Sequence, residues 1–321
     1  MIPPELCSVH PSSATLSPTC AAIDLGTNTC LLLVARWDGS RLIPLAQELR
    51  VVRLGAGVDR TGRLSEQALV RAEAVFREYQ GIIESYNCRR VRCVATSAFR
   101  EAANRALLFQ RIRAATGYDL VKLGGREEAE LVLRAVQHEF PCPDGNRIVV
   151  DVGGGSTEVI IEEEGCQAAV ESLSLGSVRL TERWFHHDPP SPEDLSSAAQ
   201  DIDKILDGVE WLQAVETMVG VGGTATTFVA MDLELQRYDH DRVHGATLTA
   251  PTLQQILARC TALPLIERLK LPGLHPGRAE VIIAGGLILR AVMHRFNLDR
   301  LTVSDRGLRW GVVLELVEQE S

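Results

Sequence analysis

The chain has 321 residues, of which 45% are hydrophobic and 23% charged. This composition excludes an intrinsically disordered chain and leaves room for two domains of ordinary size. The formal net charge of −9 argues against nonspecific nucleic-acid binding, and no apolar run is long enough to span a membrane. A polyanionic ligand would therefore need local Arg and Lys side chains to hold it.

The first 17 residues contain Pro and Ser but no Lys or Arg. They lack the basic start of a secretory signal, and we predict a disordered leader for residues 1–17. The eight cysteines include no Cys-x-x-Cys pair and mostly lie among apolar residues. This pattern favours buried thiols in a reducing cytoplasm over disulfides or zinc ligands.

A strand–turn–strand pattern covers residues 21–35, and Asp24 lies at the end of its first apolar run. The turn consists of Gly26, Thr27, Asn28 and Thr29. Residues 36–53 alternate apolar and polar side chains, which predicts further strands. The glycine-rich residues 54–62 are typical of a mobile loop, and a phosphate contact is the less favoured interpretation.

A helix is predicted from its N-cap Ser65 to about Ser85. Its inner face should consist of Ala68, Leu69, Ala72, Val75, Phe76, Tyr79 and Ile82. The next strand, at residues 91–98, ends in hydroxyl residues, and Arg100 is predicted at the start of the helix that follows. There Arg100 is either a bidentate phosphate contact or an ordinary surface arginine.

A short strand and a Gly-Gly turn at residues 120–125 precede a helix that should run to about His138. Glu127 and Glu128 lie in its first turn, where carboxylates complement the helix dipole. Capping alone explains these residues, but a glutamate held beside a phosphate can instead deprotonate water. Residues 131–136 are apolar almost all round, so we expect this helix to be buried between two domains.

Residues 147–161 form a second strand–turn–strand, with Asp151 and Glu158 at the two ends of its turn. The turn residues are Gly153, Gly154, Gly155, Ser156 and Thr157. Glycine amides can hold a phosphate group, and the carboxylates suit a hard cation that reduces their repulsion with it. The pattern favours a polyphosphate-type ligand with Mg²⁺ over a plain glycine-rich hairpin.

The two strand–turn–strand stretches form an internal repeat, since Asp151 follows Asp24 by 127 positions. The repeat predicts two similarly built domains that face each other. Each domain would supply one phosphate loop to a shared cleft.

A strand, a turn and a helix start are predicted at residues 170–180, and an amphipathic helix should then reach about Ala214. His186 and His187 have no partners at ligand spacing, which favours an exposed loop over a metal site. A third glycine–hydroxyl turn, at residues 218–228, contains Gly222, Gly223 and Thr224. Contact with a nucleotide or phosphate chain and close helix–strand packing are both open for this turn.

The last predicted elements, at residues 301–311, are a strand, a polar turn and a closing helix. Ser304 and Asp305 are expected to cap that helix. Arg306 and Arg309 would face either phosphate or solvent.

Four of these stretches together resemble the exopolyphosphatase/guanosine pentaphosphate phosphohydrolase (Ppx/GppA) family. They are Ile-Asp-Leu-Gly-Thr-Asn-Thr, Asp-Val-Gly-Gly-Gly-Ser-Thr-Glu, Gly-Val-Gly-Gly-Thr and Val-Ser-Asp-Arg-Gly-Leu-Arg-Trp-Gly. The resemblance implies an α/β fold with two RNase H-like domains of the actin-like ATPase superfamily around an interdomain cleft. It implies domains at residues 18–133 and 134–303, with a closing helix at 304–321 that packs on the first. The expected form is the short one, without the extra C-terminal helical region of longer members.

The resemblance also implies roles for individual residues. Glu128 would activate water, and Glu158 would assist catalysis and hold Mg²⁺ together with Asp151 and Asp24. Residues 26–29 and 153–157 would form the two phosphate loops, and Arg100 would contact the phosphate chain.

The implied activity is Mg²⁺-dependent hydrolysis of the terminal phosphoanhydride of inorganic polyphosphate. Guanosine pentaphosphate is an alternative substrate that the motifs do not separate. A sugar or acetate kinase would need an acceptor site that the sequence does not display. A nonenzymatic nucleotide-binding regulator would keep the loops but lack a glutamate like Glu128. We expect a cytoplasmic homodimer with no nucleic-acid or membrane partner.

Overall fold

The computed structural model describes residues 19–141, 145–164, 166–209 and 214–319, so the predicted leader, Cys7 and Cys142 lie outside the described residues. The strands in these ranges are β1 (Thr19–Leu25), β2 (Thr29–Trp37), β3 (Leu42–Val51), β4 (Arg90–Ala95), β5 (Leu120–Lys122), β6 (Asn146–Val152), β7 (Thr157–Glu163), β8 (Cys166–Leu173), β9 (Thr217–Val221), β10 (Thr247–Thr249) and β11 (Arg300–Ser304). The helices are α1 (Val58–Thr61), α2 (Glu66–Ser85), α3 (Ser97–Glu101), α4 (Arg105–Thr116), α5 (Gly125–Glu139), α6 (Ser177–Trp184), α7 (Pro192–Asp207), α8 (Gly222–Asp232), α9 (His240–Val243), α10 (Ala250–Thr261), α11 (Leu265–Arg268), α12 (Ile282–Arg295) and α13 (Leu308–Glu318).

The strands form two sheets that share one strand order. The first sheet runs β3–β2–β1–β4–β5, and the second contains β8–β7–β6–β9–β11 with β10 added at its edge. In the first sheet β3, β2 and β1 pair antiparallel, and β4 then runs parallel to β1. In the second sheet β8, β7 and β6 pair antiparallel in the same way, and β9 runs parallel to β6. We call the parts of the chain built around these sheets the first half and the second half. Their common order confirms the two similar units predicted from the internal repeat.

The repeat extends to the hydrogen bonds of the two turns. The Gly26 N–H donates to the Thr29 carbonyl at 2.9 Å, and the Gly153 N–H donates to the Ser156 carbonyl at 3.0 Å. A Cβ atom on Gly26 or Gly153 would lie only 3.1 or 3.0 Å from that same carbonyl oxygen. Both turns are therefore too tight for a side chain without a backbone shift.

Helices α5 and α13 pack against each other between the two sheets. Helix α13 also contacts β1, β2 and β4, whereas α5 contacts β6, β7 and β8. Their buried side chains share one core cluster with Ala22 and Leu33 of the first sheet and Val149 and Ile160 of the second. The burial of α5 between the halves was predicted and is confirmed, and the predicted boundary at residues 133/134 falls inside this helix.

Helices α5 and α13 approach closely at Gly311 of α13, where a Cβ atom would lie 1.9 Å from the carbonyl oxygen of Leu131 on α5. We expect Gly311→Ala to lower the free energy of unfolding by roughly 1–3 kcal/mol, because one helix has to move. Urea denaturation would measure the change. Gly81→Ala in α2 is the control, since nothing lies within 4 Å of a Cβ there and alanine favours a helix. Equal stability of the two variants would contradict this packing.

The predicted helix from Ser65 is confirmed as α2, and the Ser65 hydroxyl accepts the Ala68 N–H at 3.2 Å. Its inner face is as predicted except at one position. Ile83 is fully buried there, and Ile82 is only partly buried.

Some predicted element ends are wrong. The helix expected to reach Ala214 ends at Asp207, because Gly208 follows and glycine is a poor helix former. Residues 54–62 contain the short helix α1 rather than only a loop. Neither predicted cap serves α13, whose N-cap is Gly307. The Ser304 hydroxyl instead accepts the Arg306 N–H at 3.2 Å within the turn before the helix.

Six cysteines lie in the described ranges, and none of them forms a disulfide there. Cys20, Cys30, Cys93 and Cys260 are buried as expected, but Cys166 is exposed. None of the described helices has both the length and the apolar surface needed to cross a bilayer.

Candidate active site

A cavity of about 600 Å³ lies between the two halves. Asp24 and Asp151 line it near the carboxyl ends of the central strands β1 and β6. Residues 26–29 and 153–156 also line it, together with Glu128 and Glu158. The two repeats therefore share one crevice, as the sequence predicted.

The two predicted phosphate loops touch each other inside this crevice. A Cβ atom on Gly154 would lie 2.8 Å from the Cβ of Thr27. One on Gly155 would lie 2.5 Å from Ser97 Oγ and 2.9 Å from Thr27 Oγ1. Glycine is needed here because the second loop is pressed against side chains of the first half. These glycines therefore serve the contact between the loops as well as the predicted exposure of backbone amides.

The first loop is held from two directions. The Gly55 N–H donates to the Thr27 carbonyl at 2.8 Å, and the Arg53 N–H donates to the Asn28 carbonyl at 2.9 Å. The Asn28 side-chain amide reaches across the cleft and donates to the Gly277 carbonyl at 3.0 Å. The Asn28 side chain therefore connects the two halves, and its contact with phosphate stays a prediction.

The two glutamates at the start of α5 face different surroundings. Glu127 accepts the N–H of the N-cap residue Gly124 at 3.3 Å, which is helix capping. Glu128 lines the cavity and is only 7% exposed. Capping therefore explains Glu127, and Glu128 is available for chemistry in the cleft.

Arg100 lies beside Glu128 and forms an ion pair with its carboxylate. Its Nη2 donates to Ser156 Oγ at 3.3 Å and lies 3.8 Å from Glu158 Oε1. Arg100 belongs to the last turn of the five-residue helix α3 and not to a helix start as predicted, because α3 begins at Ser97. The side chain thus connects the first half to the second loop without help from a helix N-terminus.

The two buried glutamates have unusual acidities. Burial raises the pKa of Glu128 to about 7, although the charge of Arg100 opposes the shift. Burial also raises the pKa of Glu158 well above its ordinary value, and the charges of Glu128 and Asp151 add to this effect. A carboxylate with a pKa near neutrality is well matched to accept a proton from water. Glu128 therefore has the acidity that a general base requires.

Asp24 and Asp151 face the cavity, and the positive charges near them do not fully offset the effect of burial on their carboxylates. Oδ1 of Asp24 is buried and has no hydrogen-bond partner among the described residues. Burial and then the charge of Asp151 raise the pKa of Asp24 to about 7. Burial raises the pKa of Asp151 to about 6, against the charge of Arg278. Buried carboxylates that repel each other in this way favour a bound cation.

These carboxylates fit Mg²⁺, which prefers oxygen ligands. Gly222 leaves the space beside Asp151 open, since a Cβ atom there would lie 2.1 Å from Oδ1. Within the described ranges, no three His, Cys, Asp or Glu side chains form a group that could hold an ion by themselves. Mg²⁺ commonly uses one or two carboxylates and completes its shell with water and substrate phosphates. The ligand set Asp24, Asp151 and Glu158 stays a prediction, best supported for the two aspartates.

Two predicted ligand hydroxyls are used elsewhere. The Thr157 hydroxyl is buried and donates to the Leu175 carbonyl at 2.6 Å. The Thr224 hydroxyl donates to the Val152 carbonyl at 3.1 Å. Both side chains are buried and hold neighbouring segments together, and contacts of these two residues with phosphate or nucleotide stay predictions.

Gly222 and Gly223 begin helix α8 and line the cavity, and contact with a ligand there stays a prediction. A Cβ atom on Gly223 would lie 1.8 Å from the guanidinium of Arg278. Arg278 also lines the cavity, and the sequence predicted it only as the start of a helix and not as a site residue. The available signal was the net charge of −9, which required cationic groups beside any polyanion.

A further wall of the cavity carries an aromatic pair that the sequence did not reveal. The rings of Tyr238 and His240 meet edge to face with centroids 4.9 Å apart, and both residues line the cavity. The Tyr238 hydroxyl donates to Asp305 Oδ1 at 2.7 Å. Asp305 thus supports this wall instead of capping α13 as predicted.

The two arginines of the closing segment have separate roles. Arg306 forms an ion pair with Glu139 and lies over the Trp310 ring, 4.5 Å from its centroid. Arg309 is buried at the cavity wall and donates to Gln47 Oε1 at 2.8 Å. Arg309 is therefore the one of the two that faces the cleft.

Comparison with known proteins identifies the family. Residues 33–320 match the model of the Ppx/GppA phosphatase family. The chain belongs to this family. It is 35% identical over 312 residues to exopolyphosphatase 2 of Mycobacterium tuberculosis. This match covers 92% of this chain and 98% of that protein. It is 30% identical over 308 residues to the guanosine-5′-triphosphate,3′-diphosphate pyrophosphatase of Photobacterium profundum, which covers 95% of this chain and 60% of that protein.

Solved structures agree with this Ppx/GppA assignment. The Aquifex aeolicus family member matches with a TM-score of 0.80 at 33% identity, over 95% of this chain and 99% of that one. An exopolyphosphatase from Cytophaga hutchinsonii matches with a TM-score of 0.86 at 26% identity, over 94% and 98%. The predicted fold class, two α/β domains of the actin-like ATPase type, is confirmed.

Proposed function

We propose that this Ppx/GppA protein is an exopolyphosphatase that uses Mg²⁺ to hydrolyse the terminal phosphoanhydride of inorganic polyphosphate and releases orthophosphate. The observation that carries the proposal is the pairing of Glu128 with Arg100 beside the two predicted phosphate loops, which touch each other. This arrangement places a carboxylate of raised pKa and the backbone of both turns on one cavity, and the guanidinium of Arg100 lies directly beside that carboxylate. The relative that is named exopolyphosphatase 2 supports the choice of substrate.

Phosphoryl transfer asks little covalent chemistry of a protein, so positioning and charge dominate. Glu128 holds the attacking water in line with the terminal phosphorus and accepts its proton. Arg100 orients Glu128 and, with Ser156, binds the terminal phosphoryl oxygens together with the loop amides. When bound by Asp24 and Asp151, with Glu158 beside them, Mg²⁺ supplies positive charge that stabilises the leaving oxygen.

Phosphate release from polyphosphates of defined length tests this proposal. We expect steady release of orthophosphate with Mg²⁺, loss of release with a chelator, and recovery when Mg²⁺ is restored. Binding of polyphosphate without release would overturn the proposal and favour a nonenzymatic nucleotide-binding regulator.

Guanosine pentaphosphate is the second candidate substrate, because it also ends in a phosphoanhydride. A relative with 30% identity carries the name of a guanosine-5′-triphosphate,3′-diphosphate pyrophosphatase. The wall formed by Tyr238 and His240 offers an aromatic surface on which a base can pack. Rates measured with both substrates in competition decide between them, since the preferred substrate suppresses hydrolysis of the other.

We also propose that the protein is a cytoplasmic homodimer without nucleic-acid or membrane partners. The acidic composition and the frequency of symmetric dimers support this expectation. Light scattering of the purified protein measures its mass, and a monomer at assay concentration would contradict the dimer.

A further inference from the structure

Arg179, near the start of α6 in the second half, contacts three different partners. Its Nε donates to the Gly155 carbonyl at 3.0 Å, and its Nη2 donates to both carboxylate oxygens of Glu101 at 2.6 and 2.7 Å. Its Nη1 forms an ion pair with Asp59 of α1. Only 13% of the Arg179 side chain is exposed. One guanidinium therefore joins the second phosphate loop to two helices of the first half.

Glu101 connects this contact to the proposed chemistry, because it follows Arg100 directly in the short helix α3. The Ser97 hydroxyl at the start of α3 donates to Glu101 Oε1 at 3.1 Å. Gly155 is pressed against the same Ser97 hydroxyl. The Arg179–Glu101 pair thus fastens the helix that carries Arg100 to the loop that carries Ser156.

Arg179 does not reach the substrate cavity. It lines a second, much smaller cavity with Asp59, Glu101 and Glu182, and it is not among the residues that line the large one. Its effect on the reaction is therefore indirect, through the backbone of Gly155 and the carboxylate of Glu101.

We propose that Arg179 is a positioning residue for the hydrolase. It locks α3 to the second phosphate loop, and this contact keeps Arg100 and Ser156 in position beside Glu128. This inference rests on the proposed function and adds a specific residue to it. Asp59 also pairs with Arg183 of α6 at 3.0 Å, but Arg183 bonds neither to the second phosphate loop nor to α3.

The lock requires arginine rather than a positive charge alone. Three nitrogens of one planar guanidinium serve a carbonyl and two carboxylates at the same time. A lysine ammonium is a compact point charge and does not reproduce this fork. Lysine at position 179 should therefore keep the positive charge but fail to hold Arg100 and Ser156 in position beside Glu128.

Steady-state kinetics of Arg179→Ala and Arg179→Lys test the proposal, with Arg183→Ala as the matched control. Arg183 lies four residues further along α6 and contacts Asp59 and Asp201, but neither Gly155 nor Glu101. We expect kcat to fall by about 10- to 100-fold in both Arg179 variants, as for a misplaced catalytic group, with KM nearly unchanged. Arg183→Ala should keep the wild-type kcat. Melting temperatures of all variants identify any loss caused by unfolding.

Hydrogen exchange of the unliganded proteins supplies a readout that does not depend on catalysis. Amides at residues 97–101 and 153–157 should exchange faster in Arg179→Ala or Arg179→Lys than in Arg183→Ala. If the wild type hydrolyses neither candidate substrate, the proposed function fails and the exchange rates still test the lock. Wild-type kcat in either Arg179 variant, or exchange no faster than in the control, would overturn the inference.

Discussion

Glu128→Gln is expected to lower kcat for phosphate release by roughly 10²–10⁴-fold, the usual contribution of a general base. Gln has nearly the same shape, but its amide does not accept a proton from water. The variant should remain folded, because an uncharged side chain suits a site in which burial raises the pKa of Glu128 to about 7. Single-turnover release of orthophosphate measures the effect, and circular dichroism checks the fold. Near-normal turnover would remove Glu128 from the mechanism.

Glu127→Gln is the matched control, since it makes the same chemical change one residue away. Glu127 caps α5 through the Gly124 N–H and does not line the cavity. We expect kcat close to that of the wild type and a stability loss of about 1 kcal/mol or less. A similar loss of activity in both variants would mean that activity depends on negative charge at the start of α5 in general. It would then not depend on the specific position of Glu128.

Gly155→Ala should have the second largest effect. The added methyl would lie 2.5 Å from Ser97 Oγ and 2.9 Å from Thr27 Oγ1, so the two loops have to separate. A displacement of this size in a phosphoryl-transfer site costs about 100-fold in kcat/KM. The same rate assay measures the loss, and a crystal structure of the variant would show the loops apart.

A double variant tests whether the crowding itself causes the loss. In Gly155→Ala combined with Ser97→Ala the closest atom is absent, so part of the activity should return. Gly81→Ala, on an open face of α2, should leave activity unchanged. No recovery in the double variant would show that the glycine matters for a reason other than the contact between the loops.

The central part of the site could be predicted because it depends on local backbone chemistry. Asp24 and Asp151 are each the penultimate residue of a buried strand, and the glycines after them permit the same tight turn in both halves. Similar local patterns at a domain-length spacing then predicted a shared cleft. The structure places both aspartates on its wall.

The remaining features depend on contacts between distant segments, which no local pattern contains. The Asn28 side-chain amide donates to the carbonyl of Gly277, 249 positions away. This contact between the two halves could therefore not be predicted from the sequence of the first turn. The Thr157 hydroxyl donates to the carbonyl of Leu175, a residue just after β8, and this partner could not be read from the turn itself. Arg278 enters the cleft only because Gly223 leaves room for its guanidinium.

The layer formed by α5 and α13 has a consequence for how the protein is made. Helix α13 covers β1, β2 and β4, yet the ribosome synthesises it after the whole second half. The first sheet therefore emerges with one apolar face still open to water. The part of the protein that is translated first completes its interior last, and during translation that face is where chaperones would bind.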